Sequence, residues 1–293
     1  MEGSSKWKRM LHISQFSLSH PDPARFVRSS WQADTDSSLL PFLVYRVLVT
    51  GIFWAVLGWS FYTFWDQGLW FVFLTDWGYL FCALQALMGT ILVLAAYWKQ
   101  KNSNIIDSMF DLTQYESPMP FSYKLYWLLY NVALADAIFI TILYWSILYI
   151  PNQESDGPFM LDFATHGANS ILCVLELMVC GLPSRLLHCV QPLLFTVVYL
   201  IFTLIYWAAG GLGANDTSYI YPVLDWENDP GLGVGIIFGG AALMLIIHAF
   251  ICCLAELRNI MTQKYRRRKE NNIIISTLPS LSEGGNSNKG FVP

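Results

Sequence analysis

Charge is what this chain has least of. Only 13% of its 293 residues are Asp, Glu, Lys or Arg, against about 25% in an ordinary soluble domain. A soluble fold of this length buries a large core but still needs a charged exterior, so a soluble globular enzyme is excluded as the default reading. The 17 basic residues are also absent from long stretches, with no Lys or Arg at 47–98, 125–184 or 186–257. Other absences narrow the chemistry. There is no Gly-rich phosphate loop, no Gly-x-Ser-x-Gly elbow and no Cys or His pair at metal-ligand spacing, so no cofactor or metal is implied. Residues 1–40 contain no apolar run of signal-peptide type, so the first span is expected to act as its own insertion signal. No internal repeat or matched pair of broken helices suggests a transporter.

What the chain does have is apolar and aromatic: 55% hydrophobic residues, with Trp 12, Phe 19 and Tyr 15, and a mean hydropathy of +0.43. These values predict an all-α polytopic membrane protein whose aromatics sit at the two interfaces. Six runs are long enough to cross a hydrocarbon core, which takes roughly 20 helical residues. They are Pro41 to Phe64, Leu69 to Trp98, Tyr123 to Tyr149, Phe159 to Gly181, Leu186 to Gly210 and Gly231 to Leu257. The expected organisation is an N-terminal segment (1–40), a six-helix bundle (41–257) and a basic tail that becomes disordered (258–293).

Six spans put both termini on one side, and the basic residues say which. Five lie in the N-terminal segment and seven from Arg258 onward; Arg46, Lys99, Lys101, Lys124 and Arg185 flank or occupy the same side. Under the positive-inside rule both termini are cytosolic, and loops 65–68, 150–158 and 211–230 face outward. The sequon Asn215-Asp216-Thr217 falls in the longest outward loop, where a glycan can be added. Every cysteine lies within a span or at its inner end, which excludes a disulfide-stapled ectodomain. Cys252 and Cys253 suit either palmitoylation or plain packing. The cluster Lys264 to Lys269 reads as a stop-transfer signal or as an attraction to anionic lipid. Gly231, Gly235 and Gly239, with Gly240 and Ala241 beside them, predict close approach of another helix in the core.

Polar side chains at depth mark function in a membrane protein, because each is costly unless paired or facing a cavity. Thr75, six residues into span 2, and His166, seven into span 4, both lie about 9 to 11 Å below the outer surface at 1.5 Å per residue. Asp162 precedes His166 by one turn on the same face, where it can orient the imidazole. Asn169 is nearly one turn below. A hydroxyl beside an imidazole held by a carboxylate is the minimal apparatus for nucleophilic acyl transfer. Membrane threonines also bond the preceding turn, and polar residues often only tie helices together. The deeper layer holds Glu176 and His248 at matched depth, expected to pair, and Asp136 at mid-span, with Asn131 beneath it and Gln85 on span 2. Asp136 must be protonated and hydrogen-bonded or face a polar cavity.

Taken together, several stretches resemble the rolling stone family of animal membrane proteins. They are Trp7-Lys8 with Phe16, His20, Pro21, Phe26 and Trp31; His166-Gly167-Ala168-Asn169-Ser170 with Glu176; Pro183-Ser184-Arg185 with His188; and Tyr221-Pro222-Val223-Leu224-Asp225-Trp226. The resemblance implies a role in myoblast-type cell fusion or membrane organisation. It also extends distantly to the androgen-induced intramembrane threonine hydrolases of fatty-acid esters of hydroxy fatty acids, whose Thr and His correspond in position to Thr75 and His166. The context Asp76-Trp77-Gly78 departs from the hydrolase pattern. The partners implied are the lipid bilayer, a lipid-ester substrate and a protein at loop 211–230, where Trp226, Asp225, Glu227 and Asp229 cluster. No nucleic acid is expected, and the plasma membrane is expected rather than the endoplasmic reticulum.

Overall fold

A computed structural model of the chain describes residues 12–32, 38–65, 68–103, 119–149 and 157–277, with the backbone alone for 103, 215 and 273–277. Trp7, Lys8 and the tail from 278 lie outside these residues, as does most of loop 150–158. The regular structure of the described residues is helical, with one isolated bridge, Ser29 to Cys180.

The helices are α1 (Leu40–Phe64), α2 (Leu74–Ser103), α3 (Phe121–Leu143), α4 (Phe159–Phe163), α5 (Asn169–Val179), α6 (Val190–Ala208) and α7 (Pro230–Thr277). Apolar runs form helices in a bilayer because every backbone group must find its partner within the segment. Among the described residues five helices are long and apolar enough to cross a membrane: Leu40–Phe64, Leu74–Asn102, Phe121–Leu148, Leu186–Ala208 and Pro230–Asn272. The fourth expected span, 159–181, is not one uninterrupted helix. It is helical over 159–179, but a π turn, Ala164–Ala168, separates α4 from α5.

Helix α3 is the centre of the bundle and packs on α2, α5, α6 and α7. Tyr126, Trp127 and Tyr130 are fully buried on it. The outer faces carry Val47 and Leu48 on α1, Val198 and Ile205 on α6, and Phe238 and Ile246 on α7, all about half exposed or more. Such an apolar exterior suits lipid and not water.

At one end of the bundle α5 stops at Val179, leaving carbonyls without intrahelical donors. Ser30 N donates to Val179 O at 2.9 Å, and Trp31 Nε1 to Met178 O at 2.8 Å. Fully buried Arg258 donates to Leu177 O at 2.9 Å and to Cys180 O at 2.6 Å. A cation is well placed there because a helix C-terminus carries partial negative charge. The N-terminal segment and the distal part of α7 therefore meet at this end, where Arg266 also donates to Ser30 O at 2.8 Å.

Beyond the apolar run that ends at Leu257, α7 continues unbroken through the basic cluster to Thr277. One expectation is corrected here, because the glycine stripe is not core packing. A methyl group added at Gly235 or Gly239 would meet nothing within 4 Å, and one at Gly231 only the Asp229 side chain; Gly240 alone approaches α3, at Phe139.

Candidate functional site

Helices α2 and α5 touch at Cys82 and Cys173, whose sulfurs are 3.7 Å apart. Thr75 and His166 each precede one of these cysteines by seven residues, or about two helical turns. One contact thus sets the height of both side chains. Thr75 lies in the first turn of α2 and not six residues into it, because 70–72 form a separate 3₁₀ turn. That start is pinned from two sides. Leu74 N donates to Tyr221 Oη at 2.9 Å, and Tyr199 Oη donates to Val72 O at 2.8 Å.

His166 sits in the π turn, whose widened backbone moves the imidazole away from the regular helical position, a feature frequent at functional sites. Trp145 Nε1 donates to His166 O at 2.9 Å and anchors the turn. The two side chains meet: Thr75 Oγ1 and His166 Nε2 are 3.1 Å apart. On the opposite edge of the ring, Nδ1 lies 2.8 Å from Asp162 Oδ1, and 3.1 Å from Thr165 Oγ1. The tautomer consistent with this network places the proton on Nδ1, so Thr75 donates to Nε2 and Nδ1 donates to Asp162. Thr75, His166 and Asp162, picked out above by depth and spacing, are therefore brought together in the order a nucleophile, base and orienter require.

Tyr144 completes the arrangement, and nothing in the sequence singles it out. Its hydroxyl donates to Asp162 Oδ2 at 2.6 Å. Its ring stacks on the His166 imidazole, with centroids 3.7 Å apart and planes 12° from parallel. Both Asp162 oxygens are thus engaged, and the imidazole is held on one face. Asp76, next to Thr75, does not join the group; it accepts from Ser60 at 3.3 Å.

A cavity of about 130 Å³ opens beside Thr75. Thr75 and Tyr144 line it together with Phe139, Leu193, Val197 and Ile236. Gly240 also lines it, so the α7 glycine that approaches Phe139 of α3 borders this space.

The deeper polar layer is arranged differently from expectation. Glu176 does not pair with His248. It forms a buried ion pair with Arg46 on α1, and Gln85 Nε2 lies 3.5 Å from the same carboxylate oxygen. Arg46 Nη2 also donates to Ala86 O at 2.8 Å, and the guanidinium lies over the Tyr126 ring. His248 Nε2 instead bonds Arg185 O at 2.9 Å. Matched depth does not give rotation about the helix axis, and both residues face other neighbours. Arg46 is readable by counting from the inner end, where it and Glu176 stand at similar depth. Asp136 is fully buried, yet among the described residues neither carboxyl oxygen has a hydrogen-bond partner. It packs against Gly78 and Ile140, where a Cβ at position 78 would collide with the carboxyl group. Asn131 donates to Gln191 Oε1 at 2.9 Å and lies 3.0 Å from His188 Nδ1. Asn169 Oδ1 accepts from Thr141 Oγ1 at 3.4 Å.

In the loop 211–230, Asn215 lies in a short 3₁₀ turn, Ala214–Asp216. The acidic residues there have local work: Asp225 accepts from Glu227 N and Asn228 N, and Asp229 Oδ1 accepts from Leu232 N at 3.0 Å, capping α7. The Asp225 carboxyl is held below its usual range by the bonds from Asn228.

No solved structure matches this chain. The protein called rolling stone from Drosophila melanogaster is 27% identical over 222 residues, covering 76% of this chain and 79% of that protein. The family model described as protein rolling stone matches residues 4–269, nearly the whole of an all-helical, multi-pass membrane protein, and the chain belongs to the rolling stone family.

Proposed function

We propose that this protein is an intramembrane hydrolase that cleaves a lipid acyl ester, with Thr75 as nucleophile, His166 as general base and Asp162 as orienter. The observation that carries the reading is the hydrogen-bonded line Thr75–His166–Asp162 at the edge of an apolar cavity. His166 Nε2 takes the Thr75 proton while Oγ1 attacks the ester carbonyl carbon. The bond to the alkoxy oxygen breaks, and the leaving alkoxide receives that proton from the imidazole. Water then attacks the acyl-threonine ester, again through His166, releasing the fatty acid and restoring the Thr75 hydroxyl. In this reading residues 159–179 form a sixth span and both termini are cytosolic, which sets the site near the outer surface, where water enters.

The test is a hydroxyl-directed fluorophosphonate probe applied to the full chain in membranes. Wild type is expected to be labelled, and Thr75→Ala and His166→Ala variants that still insert are not. Absence of labelling in every form overturns the proposal. A fusion role, as the resemblance implies, then follows from altered lipids in the plasma membrane and not from bridging two bilayers, since Asp225 and Asp229 on the outer loop are engaged within the loop itself. Full rescue of fusion by the double variant Thr75→Ala/His166→Ala would separate that role from catalysis and leave the outer loop as its agent.

A further inference from the structure

We infer that the ester taken at Thr75 is uncharged, a neutral acyl ester of glycerol or of a long-chain alcohol, and that anionic lipids are rejected. This deepens the hydrolytic reading and rests on it. Three observations point the same way.

The first is the cavity. Among the described residues none that lines it is charged, and its polar side chains are already engaged. Tyr199 Oη donates to Val72 O, Thr196 Oγ1 donates to Pro192 O at 3.0 Å, Tyr221 Oη accepts from Leu74 N, and Tyr144 Oη donates to Asp162. Only Thr75, directed at His166, meets the space with a reactive hydroxyl. A dry apolar cavity of about 150 Å³ accepts benzene, so this one, at about 130 Å³, holds the first few methylenes beyond the carbonyl and leaves the rest of the chain in the bilayer.

The second is the missing cation. A phosphate or carboxylate is recognised by Arg or Lys, which match it with charge-assisted hydrogen bonds. The described segments that build this site, 69–82, 136–149, 157–173 and 190–241, contain no Lys or Arg at all. An anionic group carried in with the ester would lie unpaired in an apolar setting, which is strongly disfavoured.

The third is the sign of what is present. Asp162 stands at the site, and Asp225, Glu227 and Asp229 are carried on the outer loop beyond it. Like charges brought together suppress the wrong partner. The same field favours departure of the product, because hydrolysis turns a neutral ester into a fatty-acid carboxylate beside Asp162. The esters of hydroxy fatty acids implied by the distant resemblance carry a free carboxylate, and this site offers it no partner.

The experiment uses the purified full chain in nanodiscs of ether lipids, which contain no ester. The substrates are monooleoylglycerol, oleyl oleate, an oleoyl ester of hydroxystearic acid and the methyl ester of that same compound, at pH 7.5. The last two differ only in charge. At least tenfold higher kcat/KM for the methyl ester than for the free acid is expected, with turnover of monooleoylglycerol lost in Thr75→Ala. Ile147→Lys places a cation on the cavity wall and is expected to narrow the ratio. Equal or faster Thr75-dependent cleavage of the free acid overturns the inference and leaves the hydrolytic reading standing. Fluorophosphonate labelling at Thr75 without cleavage of any neutral ester also overturns it. Neither labelling nor cleavage overturns the reading and the inference together.

Discussion

Replacing Glu176 with Gln is expected to be among the most damaging single changes in the bundle, and the reason lies in Arg46. The two side chains are 0% and 1% exposed, and the guanidinium directs Nη1 at the Glu176 carboxylate. What remains to Arg46 after the change is the neutral amide oxygen of the new side chain, the Cys180 sulfur at 3.6 Å, the Ala86 carbonyl at 2.8 Å, the Gln85 carbonyl at 3.4 Å and the Tyr126 ring, whose centroid is 5.7 Å away. None of these carries a negative charge. Removing one partner of a buried pair costs about 3 to 5 kcal/mol because the other charge is left uncompensated. Against a total stability on the order of 5 to 15 kcal/mol, that is a large fraction. Thermal unfolding in detergent, followed by tryptophan fluorescence, should show Tm falling by about 10 °C, taking roughly 2 to 4 °C per kcal/mol for a chain of this size. Replacing both members, Arg46→Met with Glu176→Leu, removes both charges and should return Tm to near the wild-type value. A Glu176→Gln protein as stable as wild type, or a double variant no better than the single one, would refute the reasoning.

Three further outcomes follow from neighbouring geometry. A Cβ at Gly89 would collide with the Arg46 guanidinium and the Tyr126 ring, whereas one at Gly51 meets nothing within 4 Å; Gly89→Ala should cost about 1 to 3 kcal/mol by overpacking, and Gly51→Ala should leave the same melting curve unchanged. Tyr144→Phe keeps the stack on His166 and removes the bond to Asp162; a hydrogen bond to a charged group contributes about 1.5 to 3 kcal/mol, so the rate of fluorophosphonate labelling should fall about 10- to 100-fold, and an unchanged rate removes Tyr144 from the site. His20 is held below its ordinary pKa of 6.5 chiefly by burial, with Arg25 and Arg185 also opposing its protonation and the Asp22 carbonyl and carboxylate favouring it. Its neutral form is the one that docks, so docking of residues 12–32 is fully stable above about pH 6.5 and weakens as pH falls through the window below it. Proteolysis of that segment should therefore quicken between pH 7.5 and 5.5, and His20→Gln should flatten the difference.

Particular residues show how far the sequence can be read. The apolar runs locate the spans because a bilayer admits few alternatives to helix, and the gaps in Lys and Arg carry the orientation argument by themselves. Thr75 and His166 match by height alone, and they meet although the helix of Thr75 begins later than its apolar run. Height fails for Glu176 and His248 because it says nothing of rotation about the axis. Arg46 stands in the sequence as a flanking charge, and only depth counted from the inner end sets it beside Glu176. Tyr144 gives no signal, since it lies in an aromatic-rich stretch where the two interfaces are expected to concentrate such residues. The π turn at 164–168 is likewise hidden, because one widened turn leaves hydrophobic periodicity nearly unchanged.

The central claim is that the Thr75 hydroxyl is a nucleophile, and the most direct measurement is the mass of the peptide that contains it. After brief exposure of the full chain in membranes to the fluorophosphonate probe, digestion and fragmentation should place the phosphonyl adduct on Thr75, and Asp162→Asn should slow its appearance. An adduct on another residue, or an unmodified Thr75 peptide under conditions where a control hydrolase is fully labelled, would contradict the account.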